Sequence, residues 1–309
     1  MIRISVIGAG RNRNGIGEYI AKYFHKNNAR VVSLLGTTEE SSARASVAVK
    51  KYGIDATPYT DLHGMVDKER PDAIVIASPP ETHGEYLQKC GEVGVHVFCE
   101  KPFIWPPGED SRKTVENILQ GFRKKKLTVA MNSQWPFALS DYERICGKIN
   151  LGKRNTFFVL LSPFCQGKEM IPDSVPHALS LLYVLFGPGE ISHLMVDSND
   201  PAAMTLRFQY LGQGKDCEVT LELSHHEQQP RPFRFGLNGR LIQRHLDPAT
   251  YDFYFEHKGR RFRITDPLES SVRNFVEALE MSKEPLIGPP HIAATTSLLK
   301  GIYESCREI

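Results

Sequence analysis

The sequence predicts an α/β chain whose first half is a doubly wound parallel sheet and whose second half is a separate, strand-rich domain. Three observations carry this. From the N-terminus to about residue 131, short continuous apolar runs alternate with helical patterns, as in parallel strands covered on both faces and joined by crossover helices. The first of these runs ends in glycines, Gly8-Ala9-Gly10. After Asn132 several runs alternate apolar with polar residues, as in a sheet with one face covered and one exposed. The division falls between 1–131 and 132–309, and a chain of 309 residues with 41% hydrophobic content suits two domains with real cores.

In order, residues 2–7 form a buried strand that runs into Gly8 and Gly10, then Gly15-Ile16-Gly17 and a helix marked by Tyr19, Ile20, Tyr23 and Phe24. Strand, glycine turn and helix in that order are the context of the dinucleotide-binding fingerprint of a Rossmann fold. The first glycine permits the tight turn, the second lets a pyrophosphate approach the backbone, and the helix N-terminus offers unpaired N–H groups. Strict spacing would put the third glycine where Arg13 stands, so Gly17 takes that role and the loop is enlarged to include Arg11, Asn12, Arg13, Gly15 and Ile16. Arg11 and Arg13 either meet phosphate oxygens or solvate an exposed turn.

Residues 30–35 form the second strand, whose end selects between cofactors. A carboxylate there holds the ribose 2′-hydroxyl of NAD, and its absence leaves room for a 2′-phosphate. The chain reads Gly36-Thr37-Thr38, which favours NADP over NAD with Thr37, Thr38 and Arg44 as candidate partners, although Glu39 and Glu40 follow closely. Helices are expected at 41–52, ended by Gly53, and at 61–68. A strand at 73–77 is stopped by Ser78-Pro79-Pro80. A helix at 84–93 leads to a strand at 96–99 that ends in Glu100-Lys101-Pro102, a carboxylate and an ammonium at the carboxyl edge, where open α/β sheets bind ligands. Helix 110–125 and strand 128–131 close the first domain. The basic run Arg123 to Lys126 sits at a helix end, where cations suit the negative pole of the dipole.

In the second half a helix runs to about residue 149. Strands are expected at 156–161, 191–197, 204–210, 218–224, 233–237, 240–245 and 260–264. Ile171-Pro172-Asp173-Ser174-Val175-Pro176-His177 opens an apolar helix over 178–186. With Ser174 as cap, His177 lies in the first turn, where proline is tolerated. The dipole there favours neutral imidazole and Asp173 favours the protonated form, so the pair is suited to proton transfer; capping by Asp173 and Ser174 is the alternative.

These motifs resemble the Gfo/Idh/MocA oxidoreductases, the group of glucose-fructose oxidoreductase and inositol dehydrogenase. The Gly8, Gly10, Gly17 loop, the turn Ser78-Pro79-Pro80-Glu81-Thr82-His83, Glu100-Lys101-Pro102 and the closing pattern Ile302-Tyr303-Glu304-Ser305 carry the likeness. The resemblance implies a C-terminal α+β domain with a large, mostly antiparallel open sheet that also assembles a homo-oligomer, dimer or tetramer. It implies that Ser78, Pro79, Pro80, His83, Glu100, Lys101 and Asn132 border the cofactor and that Lys101 reaches the substrate oxygen. It assigns Asp173 and His177 to substrate binding and proton transfer. The chain departs from the family pattern at Ser180, where many members carry an aspartate, and in its enlarged glycine loop.

The expected function is hydride transfer by an NAD(P)-dependent dehydrogenase or reductase between nicotinamide and a carbon bearing hydroxyl or carbonyl, in a sugar, polyol or related small molecule. An imine or enone reductase of the same fold and a non-catalytic NAD(P)-binding sensor are the alternatives. A net charge of +2 gives no reason to expect nucleic acid or membrane surfaces. Six scattered cysteines without a paired motif suggest reduced thiols and, with no leader and no apolar stretch of about twenty residues, a cytoplasmic protein. His193, His225, His226 and His257 show no metal-ligand spacing, so no metal is expected.

Overall fold

The computed structural model describes residues 1–10, 16–108 and 111–306. Arg11, Asn12, Arg13 and Gly15 of the enlarged loop lie outside these residues. The chain forms two compact units, Met1–Ser133 with Leu268–Ala293, and Gln134–Pro267 with Ala294–Ile309.

In chain order the first unit contains β1 (Arg3–Ile7), α1 (Gly17–Lys26), β2 (Arg30–Leu35), α2 (Glu39–Val49), β3 (Thr57–Tyr59), α3 (Leu62–Glu69), β4 (Ala73–Ile76), α4 (His83–Val93), β5 (His96–Glu100), α5 (Ser111–Lys124) and β6 (Val129–Asn132). The three-residue β3 escaped the sequence reading because Pro58 sits at its centre and its residues are largely exposed. An edge strand tolerates proline, since it has no ladder to continue on that side. The strands pair in parallel in the order β3-β2-β1-β4-β5-β6. The chain therefore starts mid-sheet, winds outward to β3, and returns to the other side of β1. The gap between the carboxyl ends of β1 and β4 is the switch point where such sheets take ligands.

The second unit contains α6 (Leu139–Cys146), β7 (Arg154–Leu161), α7 (Met170–Phe186), β8 (Gly189–Asp200), β9 (Ala203–Gly212), β10 (Lys215–Ser224), β11 (Arg234–Leu237), β12 (Arg240–Leu246), β13 (Phe253–His257) and β14 (Arg260–Ile264). Two helices follow, α8 (Pro267–Met281) and α9 (Pro289–Ser305). The sheet order is β14-β13-β12-β11-β7-β10-β9-β8, antiparallel except where β10 runs parallel to β7. In β9, Met204, Leu206, Phe208 and Tyr210 alternate inward, and in β10 Cys217, Val219, Leu221 and Leu223 do the same. α7 packs across β9 and β10 and covers that face. β13 escaped the sequence reading because its burial does not alternate cleanly: only Phe255 is fully inside.

Residues 268–293, read from the sequence with the second half, pack with the first unit. Leu268, Val272, Phe275 and Val276 of α8 belong to the same core as Ile4, Phe24 and Phe98. Phe24 meets Phe98 and Phe275 edge-on at centroid distances of 5.7 and 6.1 Å, the arrangement favoured by ring quadrupoles. The Met131 N–H donates to the Ile287 carbonyl at 3.0 Å, just beyond α8.

Candidate active site

Because all strands of the first sheet are parallel, the segments that leave β1, β2, β4, β5 and β6 emerge along one edge. Gly8 holds φ +83°, and a Cβ built there would stand 2.6 Å from the Ala77 carbonyl oxygen. Only glycine fits the turn between β1 and β4. A Cβ on Gly17 would stand 2.6 Å from the Gly8 carbonyl oxygen, so the start of α1 lies directly on the turn. Among the described residues Gly10, by contrast, has nothing within 4 Å of that position. The two flanking glycines are fixed by packing, while Gly10 leaves the open approach that a pyrophosphate needs. Among the described residues no side chain caps α1 or competes for its first N–H groups. These features fit a dinucleotide.

At the end of β2, Thr38 caps α2. Its hydroxyl accepts from the Ser41 N–H at 3.1 Å, and the Ser41 hydroxyl accepts from the Thr38 N–H at 3.0 Å. Thr38 is thus engaged in a capping box. Thr37 is exposed, and Arg44 pairs with Glu40 at 3.4 Å.

The turn after β4 is tied to the turn after β5 by His83, which is fully buried. Its Nδ1 lies 2.8 Å from the Pro102 carbonyl oxygen and its Nε2 2.9 Å from that of Ser78. Burial is the main reason its pKa falls below the usual histidine value, although both carbonyls favour the protonated ring. His83, expected to border the cofactor, has both ring nitrogens against backbone carbonyls and fastens the two turns together. Ser78 and Thr82 join their hydroxyls at 2.7 Å, and Thr82 donates onward to the Pro79 carbonyl at 2.8 Å.

Glu100 closes β5 as a buried carboxylate. The Asn132 amide donates to it and accepts from the Ser271 hydroxyl at 2.8 Å. Asn132, also expected at the cofactor, is 2% exposed and serves as the middle of this chain. Ser271 was missed by the sequence reading. Its signal is a polar residue on the apolar stripe Leu268, Val272, Phe275 of α8. The result is a rigid base beneath Lys101, which is partly exposed and leads into a cis peptide to Pro102.

In the second unit α7 begins at Met170, not at Ser174, so Pro176 is interior and His177 lies in the third turn. The dipole argument for a first-turn histidine lapses, because the effect fades beyond the first turn. Another feature replaces it. From Met170 to Leu182, every residue is buried except Asp173 and His177. Four residues apart, they lie on one face of the helix. Ser180, next along, is fully buried.

Among the described residues no disulfide forms, and burial pushes the thiols of Cys90 and Cys217 up to about 12, which removes them as nucleophiles. Among the described residues no three His, Cys, Asp or Glu side chains converge as metal ligands. Nor, among them, is any helix long and apolar enough to cross a membrane.

The profile of the oxidoreductase family with an NAD-binding Rossmann fold, Gfo/Idh/MocA, matches residues 2–133. This part of the chain belongs to the Gfo/Idh/MocA oxidoreductase family. Curated relatives of the Gfo/Idh/MocA domain include D-glucoside 3-dehydrogenase of Escherichia coli, 26% identical over 51% of this chain and 42% of that protein. Inositol 2-dehydrogenase of Klebsiella pneumoniae is 32% identical over 40% of this chain and 35% of its own length. The chain thus spans less than half of these relatives. Solved structures extend the likeness of fold beyond the Gfo/Idh/MocA domain. UDP-N-acetylglucosamine 3-dehydrogenase from Acidithiobacillus ferrooxidans superposes with a TM-score of 0.71 at 16% identity, covering 98% of this chain and 97% of that one. An oxidoreductase from Agrobacterium radiobacter, solved with NAD+, L-tartaric acid and magnesium, gives 0.72 at 13% identity, covering 98% and 96%.

Proposed function

We propose that the protein is an NAD(P)-dependent dehydrogenase or reductase acting on a hydroxyl- or carbonyl-bearing carbon of a sugar, polyol or related small molecule. The observation that carries the reading is the convergence at the β1/β4 switch point of the Gly8 turn, the open approach at Gly10 and the turn that presents Lys101. The glucoside and inositol dehydrogenases among the relatives support the substrate class. When bound, the nicotinamide ring supplies the carbon that gives or takes hydride. Lys101 donates to the substrate oxygen and so favours charge developing there. His177 carries the proton, and Asp173, on the same face of α7, orients it. Retention of this proton-transfer set favours an enzyme over a dinucleotide sensor. The absence of a carboxylate at Gly36-Thr37-Thr38 favours NADP over NAD. Titration of the protein with NADPH and NADH, followed by nicotinamide fluorescence, tests this: tighter NADPH binding is expected, and no binding of either at millimolar concentration ends the proposal.

The reading includes a homo-oligomer, dimer or tetramer, in the cytoplasm. Leu241, Gly236, Phe158, Thr220, Arg207 and Met195 stand opposite one another across the sheet on the face away from α7. Met195 is 61% and Leu241 41% exposed, so the row carries exposed apolar side chains at both ends, suited to a second copy. A particle mass of 34.8 kDa by light scattering at micromolar concentration counts against it.

A further inference from the structure

β7 and β10 run parallel with Leu161 opposite Leu223, so Ser162 and His225 leave the sheet at the same end. The His226 N–H donates to the Pro163 carbonyl at 2.9 Å and holds the two exits together. Two arginines converge on this end. Arg231 donates through Nη1 to the Ser162 carbonyl at 3.3 Å, and Arg244 on β12 donates through Nη2 to the Arg231 carbonyl. The Arg244 guanidinium lies 5.8 Å from the Trp135 ring centroid, and Trp135 is stacked on Phe233 at 3.5 Å. The aromatic pair forms an apolar wall behind the cations.

Three buried polar atoms in this small region have no hydrogen-bond partner among the described residues: Ser162 Oγ, His225 Nδ1 and Arg244 Nε. Unpaired buried polar groups are costly and rare in native proteins, so three together require an explanation. Charge is out of balance as well. Burial, with Arg231 adding to it, pushes the Arg244 guanidinium down to about 10, and Asp266 only partly opposes this. Glu227 is 74% exposed and lies 3.5 Å from His225 Nε2, on the other ring nitrogen. A single anion would serve both guanidiniums at once, and it would have a hydroxyl and an imidazole within the same cluster.

The position suits a substrate group. Residues 162–166 lead from the cluster into the short helix Gly167–Glu169 and then into α7, and the turn Trp135–Ala138 packs on α7. α7 is the helix that presents Asp173 and His177. We propose that Arg231 and Arg244, with Ser162 and His225, form a subsite for an anionic substituent of the substrate, a carboxylate or a phosphate. This rests on the dehydrogenase reading for its meaning, although the binding itself is testable apart from it.

The experiment is thermal unfolding of the full-length chain titrated with inorganic phosphate in one arm and acetate in the other, at constant ionic strength. NADPH is held at saturation so that the phosphate site at the glycine turn is filled. Wild-type protein is expected to show a saturable rise in Tm with one of the ions, and the arm that responds names the substituent. Arg231→Gln and Arg244→Lys, which keeps charge but loses the planar fork, are expected to weaken that ion's apparent affinity about tenfold or more, the effect of losing one charge-assisted hydrogen bond. Arg154→Gln, at the other end of β7, is the control expected to match wild type. No saturable rise in either arm, meaning that water alone satisfies these groups, overturns the subsite. An equal rise in all variants overturns it too. If NADPH does not bind, the dehydrogenase reading falls separately, and the same comparison on the chain alone still decides the subsite.

Discussion

Lys101 follows a buried carboxylate that accepts from Asn132 of β6, which in turn accepts from Ser271 of α8, so the residue before it is anchored through two elements. A cation on so firm a base acts on a ligand by direction as much as by charge. Lys101→Ala is therefore expected to lower kcat by roughly 10²- to 10⁴-fold while leaving dinucleotide affinity within a few fold. Rapid-mixing turnover with fluorescence titration checks it, and unchanged turnover removes Lys101 from the chemistry. A second expectation concerns His291, whose pKa burial pushes down to about 3. The unfolded chain binds this proton from near pH 6.5, whereas the folded chain stays neutral until far lower. Stability is complete above that pH and declines as pH falls from about 6.5 toward 3, by up to about 1.4 kcal/mol per pH unit from this group. Urea unfolding at pH 7, 6, 5 and 4 measures the slope, and His291→Gln is expected to flatten it. The motif around Lys101 was legible in the sequence because it is contiguous. The Ser271–Asn132–Glu100 chain was not, because its members lie far apart and only the packing of α8 brings them together.

At the scale of elements, the β1–turn–α1 unit separates two glycine roles that a motif alone merges. Gly8 and Gly17 are required by contact, at 2.6 Å from neighbouring backbone in each case, and Gly10 by access. Gly17→Ala is expected to push α1 from the turn and lower Tm. Gly10→Ala is expected to leave Tm within a degree or two and to weaken NADPH binding at least about tenfold, since a methyl group occupies the approach of the pyrophosphate. Calorimetry on apo protein and a binding titration distinguish these outcomes, and equal losses of Tm in both variants defeat the division of roles. The boundary of α7 shows where sequence reasoning fell short. Pro172, Ser174 and Pro176 are signals for a helix start, yet the helix begins at Met170 and carries Pro176 inside. Burial on nearly all sides overrides the local preference. The same burial leaves Asp173 and His177 as the partly exposed positions of that stretch, a fact the D-x-x-x-H spacing does not contain.

For the whole molecule, a parallel sheet with crossover helices followed from the alternation of apolar runs and helical patterns, but chain order alone does not assign residues to units. The apolar stripe Leu268, Val272, Phe275, Val276 needs a partner surface, and nothing in its own sequence says which. The structure answers through Phe275, whose ring lies 5.3 Å from Phe98 and 6.1 Å from Phe24, in the core beneath the sheet. The first unit is therefore discontinuous, and its stability depends on residues that follow the second sheet in the chain. Phe275→Ala in the full chain is expected to destabilise the first unit by about 3–5 kcal/mol, through lost burial and the cavity left between Phe24 and Phe98. A fragment ending at Ser133 removes the whole stripe together with the Ile287 carbonyl that accepts from Met131, and exposes the facing side of β1 and β5. Such a fragment is expected to lack a cooperative urea transition, whereas one joining 1–133 to 268–293 through a flexible linker regains it. A fragment of 1–133 that unfolds cooperatively at the same urea midpoint as the joined version would mean that α8 merely covers a unit already complete without it.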